Sequence, residues 1–83
     1  MTLADLKPGQ SAEISAINTK HPGVVRLMVL GLVEGAQVRH RSAAIGGDPL
    51  EISVYGAAIS VRREQAGQFR LEIPDTESEG PAP

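Results

Sequence analysis

The sequence predicts a mainly β domain: a small barrel of about five strands, with a short helix inserted after the first long strand. Three observations carry this reading. Apolar and polar residues alternate over residues 11–18, 36–41, 50–54, 57–61 and 68–73, the period expected of half-buried strands. Residues with turn chemistry separate these runs: Lys7-Pro8-Gly9, Asn18 to Gly23, Gly46-Gly47-Asp48-Pro49 and Gly56. Closing so few short strands into a barrel would remove the exposed edges of an open sheet.

Taken in order, Thr2 is placed to cap one turn through Leu3, Ala4 and Asp5, and Pro8-Gly9 turns the chain into the first strand. There Ala12, Ile14 and Ala16 share one face, with Glu13 and Ser15 on the other. The stretch "VVRLMVLGLVEG" from Val24 is the most apolar in the chain. Val25, Met28, Val29 and Leu32 fall at i, i+3, i+4 and i+7, which predicts a helical face over about residues 24–30, with Gly31 ending the helix in a left-handed cap. The β-branched run also suits a strand.

Beyond it, Val38 and His40 oppose Gln37, Arg39 and Arg41, while Leu50, Ile52 and Val54 point inward and are followed by Ile59 and Val61 after a tight turn at Gly56. "RREQAG" fits a single helical turn with Ala66 packed beneath it, and Phe69, Leu71 and Ile73 form the inward side of the last strand. Pro74 ends the folded domain, residues 1–74. Residues 75–83 are acidic, contain no large apolar side chain and are expected to be a disordered tail.

Composition narrows the function. The chain has 83 residues, 41% of them hydrophobic, with Tyr55 and Phe69 as its only aromatics, so the core must be aliphatic and thin, and weak self-association would help it. A formal charge of −2 argues against a nucleic-acid surface, which needs basic excess. The absence of cysteine excludes disulfides, thiolate metal sites and a Cys nucleophile, and suits a cytoplasmic address. The N-terminus lacks the basic and apolar regions of a secretion signal. The apolar stretch, interrupted by Arg26, is about half the roughly 20 residues a membrane span needs, so no membrane insertion is expected.

The motif order is informative in its own right. Pro8-Gly9, Arg26-Leu27, Gly31-Leu32 with Gly35, Gly47-Asp48-Pro49, Gly56, Arg62 and Ala66 run in sequence through nearly all of the chain before the tail. In this the sequence resembles the FeoA family, ferrous iron transport protein A. The family's helix opens with two arginines and its following turn has Pro before Gly; here Val25 and Glu34 take those places. The resemblance implies an SH3-like β-barrel. It also implies a cytosolic accessory role in ferrous iron uptake, in which the protein binds and regulates a large membrane transporter that carries a cytosolic GTP-hydrolysing domain. The alternative it leaves open is a regulatory sensor that binds Fe(II) or another transition metal itself.

The chemistry-bearing residues favour binding over catalysis. His21 and His40 are the only side-chain bases near neutral pH, no Gly-x-Ser-x-Gly elbow is present, and neither glycine pair is followed by the Lys-Ser/Thr of a phosphate loop. No enzyme activity and no cofactor are expected. His21, His40, Asp48 and Glu64 are the candidates for a metal, although they lack ligand spacing, and the plainer readings of the two histidines are a solvated turn residue and a sheet-face residue. A polyproline groove needs an aromatic floor that two aromatics do not supply. The candidate partner surface is therefore the aliphatic helix, Arg26, Leu27, Met28, Leu30 and Leu32, about half of which should instead plug the barrel end. Arg26, Arg62 and Arg63 also fit an arginine finger acting on a GTPase partner, against the plainer reading as solvated or paired surface residues.

Overall fold

The computed structural model describes residues 1–43 and 46–73, so the acidic stretch 75–83 lies outside the described residues. Five strands form one antiparallel sheet: β1 (Ser11–Ile17), β2 (Gln37–Ala43), β3 (Leu50–Val54), β4 (Ala57–Val61) and β5 (Phe69–Glu72). A 3₁₀ turn (Leu3–Asp5) precedes them, α1 (Val24–Val29) lies between β1 and β2, and α2 (Arg63–Ala66) links β4 to β5.

The strand order is β4-β3-β2-β1-β5, and the terminal strands β4 and β5 do not pair. The expected hydrogen-bonded closure of the barrel is thus not found. Side chains close the gap instead: the 3₁₀ turn packs against α2 and β5, with Leu3, Leu6 and Ala66 all buried. The N-terminus also covers the free edge of β5, through a bridge between Thr2 and Arg70 and a hydrogen bond from Leu71 N–H to the Met1 carbonyl at 2.9 Å. Covering an edge in this way blocks pairing with another chain.

The turn that does this is held locally. The Thr2 backbone N–H donates to Asp5 Oδ2 at 2.8 Å and the Thr2 hydroxyl donates to the same oxygen at 3.3 Å. The backbone N–H of Thr2, which favours the charged form, holds the Asp5 carboxyl below its ordinary value of 3.8.

The core is aliphatic around one aromatic ring: Phe69, Ile14, Leu27, Leu32, Leu50, Ile52 and Val61 are all fully buried. β3 and β4 alternate as the sequence implies, with Leu50, Ile52, Val54, Ile59 and Val61 inside. The turn between them uses positive φ at both central residues, Tyr55 (50°) and Gly56 (80°), as a two-residue hairpin loop requires. β1 departs from expectation. Its pairing with β5 shifts between Ile14 and Ala16, so Ala16 is exposed and Ile17 packs on the core; an extra residue in one strand reverses the face of those beyond it.

α1 also turns a different face inward from the one its periodicity suggested. Val24 and Leu27 are fully buried, whereas Val25 and Val29 are 58% and 81% exposed. Two apolar stripes overlap in this stretch, and the end of the helix selects between them. Gly31 has φ 121°, its N–H donates to the Met28 carbonyl at 3.0 Å, and Leu32 N–H reaches back to the Leu27 carbonyl at 3.1 Å. This is the Schellman pattern, in which the residue after the glycine packs on the one it bonds to. Leu32 thereby enters the core beside Leu27 from beyond the helix, not from its face.

Two outcomes follow. Leu27→Ala should lower unfolding free energy by about 2–5 kcal/mol in urea titration, while Val29→Ala should stay within roughly 0.5 kcal/mol of the parent; equal effects would contradict this helix orientation. Because the folded Asp5 carboxyl titrates below its ordinary 3.8, its contribution is fully present above that pH and is lost as pH falls through the folded value. Asp5→Asn should therefore flatten the acid limb of a stability-versus-pH curve.

Candidate functional site

The part of the surface that most resembles a docking site is apolar. On the outer side of α1, Val25, Val29 and Leu30 are exposed, the last by 51%. The surface continues across Gly31 to the β3–β4 turn, where Tyr55 is 72% exposed and its ring lies close enough that a Cβ on Gly31 would meet Tyr55 Cδ2 at 3.4 Å. Contiguous exposed apolar side chains on a small domain mark a contact surface more often than isolated ones do. Arg26, also exposed, adds one charge on the same helix.

Of the expected partner residues, Arg26 and Leu30 are exposed and Met28 is partly buried. Leu27 and Leu32 are fully buried and belong to the core, because the glycine-ended helix folds both beneath it. Val25, Val29 and Tyr55 take their place on the surface. Tyr55 carried a usable signal: an aromatic residue next to Gly56 in a two-residue turn has no strand face on which to be buried.

The metal candidates are not brought together. No group of three or more His, Cys, Asp or Glu side chains able to hold a metal ion occurs among the described residues. His40, read as a sheet-face residue, is the buried polar side chain of the core: Nδ1 lies 2.8 Å from the Leu6 carbonyl oxygen and Nε2 2.9 Å from that of Ser42. Each ring nitrogen thus faces a backbone carbonyl oxygen at hydrogen-bond distance, and neither is open to a metal. His21 Nδ1 lies 2.8 Å from the Pro22 carbonyl oxygen, and Asp48 Oδ1 accepts the Arg63 backbone N–H at 2.9 Å. Glu64 is exposed on α2.

Arg63 is likewise structural. Nε and Nη2 donate to the Gly47 carbonyl at 3.1 and 2.9 Å, and Nη1 donates to the Ala4 carbonyl at 2.8 Å, so one guanidinium joins the Gly-Asp-Pro loop to the 3₁₀ turn. A side chain engaged in this way does not extend into a partner's active site as a finger. No helix among the described residues is long and apolar enough to cross a membrane.

The FeoA domain model matches residues 1–72. Among solved structures, the FeoA protein of Chlorobium tepidum is 34% identical and superposes with a TM-score of 0.83, over 100% of this chain and 79% of that one. FeoA of Stenotrophomonas maltophilia, solved with zinc and described as a prokaryotic SH3 domain protein, is 29% identical with a TM-score of 0.76, over 87% of this chain and 89% of that one. Iron(II) transport protein A of Clostridium thermocellum is 26% identical with a TM-score of 0.81; the match covers 88% of this chain but only 45% of that longer one. The fold is accordingly SH3-like. No curated protein matches the chain.

Removing the buried ring tests this division between structural and surface residues. His40→Ala should cost about 2–4 kcal/mol in denaturant titration, since it strands two carbonyl groups, while Arg63→Ala should cost about 1–2 kcal/mol and Arg63→Lys should recover less than half of that.

Proposed function

The chain belongs to the FeoA family, and we propose that it acts as a cytosolic accessory protein of ferrous iron uptake, binding and regulating a membrane transporter that carries a cytosolic GTPase domain. The observation that carries this reading is the exposed apolar surface of Val25, Val29, Leu30 and Tyr55, beside Arg26, on a domain whose other large apolar side chains are mostly inside. Such a surface suits a hydrophobic interface centre with a charged rim. The relatives named for ferrous iron transport support the pathway, and the internal engagement of His40 and Arg63 supports a binding role over a catalytic one.

In this arrangement the sheet and its covered β5 edge form a rigid base, and α1 presents its outer side to the partner. Leu30 and Tyr55, on either side of Gly31, would be the anchors, since each exposes a large apolar group without contributing to the core. Arg26 would orient the complex through charge more than it would strengthen it.

Leu30→Asp and Val29→Asp should leave the thermal transition within a few degrees of the parent and weaken binding to the transporter's cytosolic GTPase domain, measured by calorimetry, by at least about tenfold, or roughly 1.4 kcal/mol. Folded variants that bind with unchanged affinity would remove α1 from the interface.

A further inference from the structure

A second surface, on the outer side of β2, has the chemistry of a ligand site. β2 and β3 change register between His40 and Ser42: His40 faces Ile52, Ser42 faces Glu51, and Arg41 between them has no partner on β3. A bulge of this kind re-aims side chains, and here it leaves Arg41 exposed near Arg39. Arg39 sits in the ladder between Ser11 of β1 and Ser53 of β3. Gly9, Arg39, His40, Arg41 and Ser53 together line a pocket of about 400 Å³. Gly9 borders it in a left-handed backbone conformation, φ 85°.

The two arginines differ from Arg63 in what they touch. No side-chain hydrogen bond among the described residues uses either guanidinium, whereas Arg63 directs three N–H groups at backbone carbonyls. Two carboxylates lie nearby on the same sheet without engaging Arg39 or Arg41: Glu51, across from Ser42, accepts the Ser60 hydroxyl at 2.9 Å, and Glu13 lies across from Gln37 and Glu72. Two cations carried two residues apart on one strand, whose Cα atoms are roughly 6–7 Å apart at the strand rise, repel each other modestly unless an anion lies between them.

We propose that Arg39, Arg41 and Ser53 form a binding site for a small phosphoryl-type oxyanion. Each guanidinium presents a planar fork of donors that matches oxyanion geometry, and the Ser53 hydroxyl adds a third donor at the pocket wall. A phosphoryl group carries close to two negative charges at neutral pH and spreads its acceptor oxygens tetrahedrally, so it can meet two forks and a hydroxyl together. A carboxylate brings one charge in one plane. Two arginines on a chain of net charge −2 are too few for a nucleic-acid surface, which leaves a small anionic ligand.

The probe is inorganic phosphate, added to the full-length protein at constant pH and at ionic strength held with sodium chloride, and followed by amide chemical shifts. Saturable shifts centred on Gly9, Arg39 to Arg41 and Ser53 are expected. In Arg39→Gln and in Arg41→Gln, each of which changes one exposed side chain, the apparent Kd should rise at least about fivefold, and Arg26→Gln should leave it unchanged. Shifts that rise linearly without saturation in the parent protein, or identical titrations in the parent and both pocket variants, would overturn the proposal.

Discussion

The imidazole of His40 is the polar group around which an otherwise apolar core is arranged. Its ring lies inside the sheet between two backbone carbonyls, one from Leu6 in the N-terminal segment and one from Ser42 on its own strand. The surrounding backbone is tied in as well, since Gly9 N–H donates to the His40 carbonyl and His40 N–H donates to that of Gln10. The N-terminal segment is held against β2, and through it the 3₁₀ turn reaches the gap that the sheet leaves between β4 and β5.

That gap explains why the domain tolerates an open sheet. With Leu3, Leu6 and Ala66 filling it and Met1 and Thr2 pairing along β5, one edge is covered without the longer strands that full closure would require. Arg63 completes the same junction from the outside by bonding to both Gly47 and Ala4. The residues that looked most chemical, a histidine and an arginine, are thus used in assembling the fold, and the surfaces proposed for recognition are an apolar helix side and the outer face of β2.

These two surfaces have different physical origins. The first exists because a six-residue helix ended by Gly31 can bury only one stripe, leaving Val25, Val29 and Leu30 outside with Tyr55 beside them. The second exists because the register shift that accompanies the Ser42 contact also leaves Arg41 unpaired on the outer face. An apolar surface favours a macromolecular partner, and a pair of guanidinium groups around a small pocket favours a compact anion.

By itself the sequence determined the five strands, the turns between them, the inward residues of β3 and β4 and the family, since all of these are written in local alternation, in glycine and proline placement and in motif order. Only the tertiary structure decided that the sheet stays open, that Leu27 and not Val29 faces the core, that Ala16 lies outside, and that His40 and Arg63 are internal ties. The physical reason is common to all four. Periodicity specifies which residues share a face, but the rotation of a short helix, the presence of one extra residue in a strand and the partner of a buried polar group are settled by contacts between segments distant in the chain.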